Sequence, residues 1–145
     1  MADTKRFRER YGPWAIVAGA SEGLGAAYAR ALAQRGLHLV LVARRVEPLE
    51  KLAADLRAGH GIEVRCVVSD LAAAGTFARI AGEASRLEIG LLVYNAAHAP
   101  VGDFAAVDAD GLERVVDVNV RGPLRLARSV LPGMVARGRG GIVLM

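Results

Sequence analysis

Three glycines, Gly19, Gly23 and Gly25, stand at G-x-x-x-G-x-G spacing in Gly19-Ala20-Ser21-Glu22-Gly23-Leu24-Gly25, between an apolar run and a segment of helical period. At a strand-to-helix turn such glycines let the backbone approach a pyrophosphate, whose charge meets exposed N–H groups and the positive end of a helix dipole. A second candidate closes the next apolar run, where Leu41-Val42-Ala43 leads into Arg44-Arg45. At that strand tip in dinucleotide-binding folds, an acidic residue takes the ribose 2′-OH and an arginine accommodates a 2′-phosphate. No Asp or Glu stands there, so the pattern favours NADP(H), with NAD(H) the alternative. Glu22 counts against this preference, because its carboxylate would lie near the extra phosphate charge.

Other reactive side chains form no constellation. His38, His60 and His98 are isolated and lack metal-ligand spacing, which reads as ordinary surface or turn histidines. Ser85 and Ser129 fall in helical segments without a His/Asp set. Cys66 is the only cysteine and sits in an apolar run, as a small core residue would.

Elements able to position the glycines and arginines follow from the alternation of apolar runs with helical segments, the pattern of βαβ units building a parallel sheet. Strands are expected at Ala15–Ala18, Leu37–Ala43, Val64–Val68, Gly90–Tyr94 and Ile142–Met145, read as runs covered on both faces. Leu24, Ala27, Tyr28, Ala31 and Leu32 mark the first helix, with Gly36 as its left-handed stop. Pro48 suits the first position of a second helix that Gly59 ends. Phe77, Ile80, Ala84 and Leu87 line a third. A loop from Ala96 to Asp108 precedes a long helix from about Asp110 to Ala136. Asp110 and Glu113 have capping-box spacing there, and Gly122-Pro123 predict a kink or break.

The length, 145 residues and 15.2 kDa, suits one domain, and the 53% hydrophobic and 23% charged residues exclude disorder as the main description. No apolar run approaches the roughly 18 residues of a membrane span, and no secretory segment is visible, which leaves the cytoplasm as the expected location. The net charge of +4 comes from scattered arginines without a basic block or interleaved aromatics, so nucleic acid is not the expected partner.

Four ordered motifs carry a family resemblance: the glycine segment, Ser69-Asp70-Leu71, Tyr94-Asn95-Ala96-Ala97 and Asp117-Val118-Asn119-Val120. Together they resemble the short-chain dehydrogenase/reductase family, whose fold is an α/β, Rossmann-like doubly wound parallel sheet. The resemblance implies that Gly19, Ser21, Gly23, Leu24 and Gly25 wrap the pyrophosphate, that Arg44, with Arg45 beside it, meets the 2′-phosphate, and that Asp70 accepts from the adenine amino group beside Leu71. It also implies that Asn95 supports the central strands near the nicotinamide ribose, with Ala96 beside it at the cofactor, and that Asn119 kinks the long helix and holds a proton-relay water. An alanine, Ala97, replaces a glycine of the family pattern and would be strained if the position needed positive φ.

A complete member follows its fifth strand with a serine and a Tyr-x-x-x-Lys pair, the tyrosine acting as general acid/base. Here Tyr11, Tyr28 and Tyr94 are followed four residues on by Ala15, Leu32 and His98. The expectation is therefore a single, incomplete NAD(P)-binding domain over residues 1–145, cut short at or after its fifth strand. Its parent would be an NADP(H)-dependent oxidoreductase acting on an alcohol or carbonyl, and a homo-oligomer. The alternatives are a non-catalytic dinucleotide-binding or dimerisation module, and a flavodoxin-like phosphate-binding domain, against which Arg44 and Asp70 at successive strand tips favour adenosine.

Overall fold

The computed structural model describes residues 2–145. Five strands, β1 Trp14–Ala18, β2 His38–Ala43, β3 Val64–Val68, β4 Ile89–Tyr94 and β5 Gly141–Leu144, form one parallel sheet in the order β3-β2-β1-β4-β5. Six α-helices accompany them: α1 Ala2–Tyr11, α2 Gly23–Gln34, α3 Val46–His60, α4 Thr76–Ala84, α5 Ala109–Val116 and α6 Gly122–Arg137. This is the doubly wound α/β architecture expected from the alternation.

Helices cover both faces because strand side chains alternate and both sets are apolar. Ala15, Val17, Leu39 and Leu41 point to the layer of α2 and α3, where Leu32, Leu49, Leu52 and Leu56 are buried. Trp14, Ile16, Val40 and Val42 point the other way, against Ile80 of α4 and Leu126, Val130 and Met134 of α6. Each such Leu, Ile or Val contributes about 1.5–3 kcal/mol by leaving water.

Several local expectations are corrected. Residues 2–11, where no element is expected from sequence, form α1, whose Phe7 and Tyr11 rings meet tilted with centroids 4.8 Å apart and pack on the core, while Lys5, Arg6, Arg8, Glu9 and Arg10 stay outside. Helix α3 begins at Val46, so Pro48 is its third residue; its missing N–H falls in the first turn, where none is needed. That helix continues through Gly59 and stops at Gly61, whose φ of 63° allows the left-handed turn that delivers Ile62 to the core. Helix α5 is capped by Asp108 rather than Asp110: the Asp108 carboxylate accepts from Gly111 N–H at 2.8 Å, and Asp110 lies in the first turn. The interruption of the long helix is a π-helical segment, Asp117–Arg121, just before Gly122-Pro123.

One topological feature positions the site. From β1 the chain crosses first to β2 and β3 on one side, then to β4 and β5 on the other. The connections diverge at the carboxyl ends of β1 and β4, which opens a crevice where doubly wound sheets hold ligands.

Candidate functional site

A cavity of about 280 Å³ occupies that crevice, lined by the tips of β1, β2, β3 and β4, by Arg114 of α5 and by Val118 of the π segment. Its lining includes Gly19, Ser21, Arg44, Asp70, Leu71, Asn95 and Ala96, seven of the residues singled out from sequence. Gly23, Leu24, Gly25, Arg45 and Asn119 stand outside the lining.

Each glycine of the turn has its own reason. Gly19 has φ +79°, and a Cβ there would lie 2.7 Å from the Ala96 nitrogen. A Cβ at Gly25 would lie 1.9 Å from the Gly19 carbonyl oxygen, so this glycine lets α2 sit against the turn. Gly23 has φ +55° with nothing within 4 Å of an added Cβ, which leaves its side open. Glu22 precedes α2 without a capping side-chain bond, so the first N–H groups of α2 remain free for an anion. Asn95 braces the turn by donating from Nδ2 to Gly19 O at 3.3 Å. These features fit a pyrophosphate.

At the β2 tip the two arginines separate. Arg45 Nη2 lies 2.5 Å from Glu22 Oε2, so the carboxylate that counted against a 2′-phosphate already has a cation. Arg44 lines the cavity and makes no ion pair among the described residues.

At the β3 tip, Asp70 Oδ1 accepts from Ala72 N–H at 3.0 Å, and Oδ2 accepts from Arg114 Nη2 at 2.6 Å. Burial alone would raise the Asp70 pKa, but the Ala72 N–H and the Arg114 guanidinium, helped by Arg44, outweigh it and hold the carboxyl below its ordinary range. Thr76 fixes the loop, donating from Oγ1 to Asp70 O at 2.5 Å and meeting buried Ser69 Oγ at 2.8 Å.

The helical wall is shaped by Tyr94. In the π segment Gly122 N–H bonds Asp117 O, and the next partner in that pattern, for Val118 O, would be Pro123, which has no N–H. The Tyr94 hydroxyl donates to this orphaned carbonyl at 2.5 Å. Burial pushes the Tyr94 phenol up to about 12. Gly122 makes room, since a Cβ there would lie 2.1 Å from the Tyr94 oxygen. From the same segment Asn119 clamps the loop after β4: its Oδ1 accepts from His98 N–H and its Nδ2 donates to His98 O, both at 2.8 Å. No residue other than glycine has positive φ among the described residues, so Ala97 is unstrained.

The family described as short chain dehydrogenase matches residues 13–145, the whole sheet and the cavity lining. The chain belongs to that family. A short-chain dehydrogenase from Sphingobium yanoikuyae, solved in complex with NADPH, superposes with a TM-score of 0.85 at 39% identity, covering 90% of this chain and 52% of that one. The 7beta-hydroxysteroid dehydrogenase of Clostridium sardiniense is 36% identical over 94% of this chain and 52% of its own length. The very-long-chain 3-oxoacyl-CoA reductase of Anas platyrhynchos is 34% identical over 91% of this chain and 44% of its own length. This short-chain dehydrogenase chain thus spans about half the length of the curated relatives it matches.

Sequence reasoning missed three cavity residues of this family member. His98, expected to be an ordinary surface or turn histidine, lines the cavity, where Asn119 holds its backbone. Arg114 and Val118 lie on the long helix, where only the fold turns them toward the β3 tip. No motif marks His98 or Arg114, whereas Val118 lies within Asp117-Val118-Asn119-Val120. Among the described residues no cluster could hold a metal ion, and no helix is long and apolar enough to cross a membrane.

Proposed function

We propose that this chain is the dinucleotide-binding part of an NADP(H)-dependent oxidoreductase that moves hydride between nicotinamide and an alcohol or carbonyl. The observation that carries the reading is Arg44, a cation without an ion-pair partner among the described residues, lining the cavity at a β2 tip that carries no carboxylate. Arg44 meets the 2′-phosphate, while Arg45 neutralises Glu22 beside it. Gly19, Ser21, Gly23, Leu24 and Gly25 receive the pyrophosphate on the free N–H groups of α2. Asp70 accepts from the adenine amino group and Leu71 packs at its side. Asn95 and Ala96 line the path toward the nicotinamide ribose. Asn119 serves the reacting half by fixing the His98 loop. When bound, the nicotinamide supplies or accepts the hydride, and the protein orients it. The NADPH complex of the Sphingobium relative supports the cofactor choice. Leu112, Val116, Val120 and Leu124, an exposed apolar row along α5–α6, support a homo-oligomer.

The 145-residue chain should bind NADPH more tightly than NADH in a fluorescence titration, and Arg44→Asp should remove or reverse that preference. Equal affinity for both cofactors in the folded wild type would sink the NADP(H) assignment. A second reading, a binding or dimerisation module without catalysis, rests on the same exposed apolar row. Carbonyl-dependent NADPH oxidation by the protein that contains this chain would exclude it.

A further inference from the structure

The Asp70–Arg114 pair joins residues 44 positions apart, and both members line the cavity. Their side chains are 32% and 30% exposed, so neither is sealed in the core nor free on the outer surface. An exposed pair of this kind adds little stability, which leaves its location to be explained. Asp70 gives one oxygen to Ala72 N–H and the other to Arg114, and each oxygen keeps acceptor capacity. The Arg114 guanidinium has five N–H donors and no other bond partner among the described residues. An acceptor and a donor therefore stand side by side at the cavity's β3 end. Adenine offers the complement, an exocyclic amine that donates next to a ring nitrogen that accepts. A base with a carbonyl in place of the amine presents an acceptor there instead.

We infer that Arg114 is a second base-reading residue, donating to an adenine ring nitrogen while Asp70 accepts from the amino group. The inference rests on the dinucleotide reading above and adds a residue from α5 that lies in no sequence motif. Lowering of the Asp70 pKa by Arg114 agrees with it, since a charged carboxylate is the better acceptor. The pair would read the base and ignore the 2′ position, which separates its effect from that of Arg44.

The test titrates the folded 145-residue chain with NADPH, NADH and the NADPH analogue carrying hypoxanthine for adenine. Wild type should prefer adenine. Arg114→Met should weaken NADPH and NADH alike, by about 3- to 10-fold for one lost hydrogen bond. The ratio of NADPH to NADH affinity should not move. If Arg114→Met does not fold, Arg114→Lys, which keeps the ion pair and loses the planar fork, should change binding in the same direction. Wild-type indifference between adenine and hypoxanthine overturns the inference. So does a folded variant that binds both dinucleotides as tightly as wild type or more so, because the pair then only ties α5 to the β3 loop. A folded wild-type chain that binds no dinucleotide overturns the cofactor reading as well, and is thereby distinguishable from failure of Arg114 alone.

Discussion

The two walls of the cavity are built on opposite plans. The wall from the β1–α2 turn is local: Gly19 lines the cavity, and Gly25, six residues on, lies against the Gly19 carbonyl and holds the turn's shape from behind. The wall from α5 and the π segment is non-local. Its register depends on Tyr94 from β4 bonding Val118 O, and its contact with the β3 tip on Arg114 reaching Asp70. A short motif can specify a surface made of backbone, whereas a surface made of side-chain reach requires the sheet to be assembled first.

That contrast can be broken by substitution, and the local wall should fail hardest. Gly25→Ala drives a Cβ into the Gly19 carbonyl, backbone against backbone, and should cost about 3 kcal/mol or more in urea unfolding and abolish dinucleotide binding. A loss below 1 kcal/mol would show that α2 can slide away from the turn.

The non-local wall comes next. Tyr94→Phe leaves the Val118 carbonyl buried without a donor and should cost about 2 kcal/mol, within the usual range for such a group. Adding Pro123→Ala restores an N–H at the next position of the π pattern and should recover part of the loss. If the double variant loses as much as the single one, Val118 O has another source of satisfaction.

Gly23→Ala sharpens the comparison within the local wall. It meets no atom within 4 Å and should cost only the left-handed conformation, about 1 kcal/mol, with little effect beyond the turn.

The smallest effect is the pH dependence at the meeting point of the walls. The Asp70 pKa is lowered in the folded state, so its contribution to stability is present above the unfolded carboxyl value of about 3.9 and disappears as pH falls through the lower folded value. Asp70→Asn should flatten this part of the acid limb while leaving stability at pH 7 to 8 free of that slope. An unchanged acid limb would mean that Asp70 is not held by Arg114 in solution.

The five strands, their parallel βαβ order and the glycine turn are legible along the chain, because strand-length apolar runs, helical period and glycine spacing are properties of neighbouring residues. Arg44 was legible for the same reason, being the first polar side chain after an apolar run, whereas Asp70, one residue beyond Ser69, stood out through the family resemblance. Even local signals failed where two candidates competed within a few residues. Gly61 was preferred to Gly59 by where Ile62 had to enter the core, and Asp108 to Asp110 by which carboxylate reached the Gly111 N–H. Helix α1 has no sequence signal because, among its residues of described burial, Phe7 and Tyr11 alone pack on the core, and they do so against a sheet that forms from distant segments. The tertiary structure alone decided that Tyr94 satisfies the carbonyl Pro123 leaves bare, that Asn119 spends its amide on His98, and that Arg114 meets Asp70. Each of these pairs joins residues 21 to 44 positions apart, and a hydrogen bond of about 3 Å constrains them only after strand order has brought their elements to one crevice.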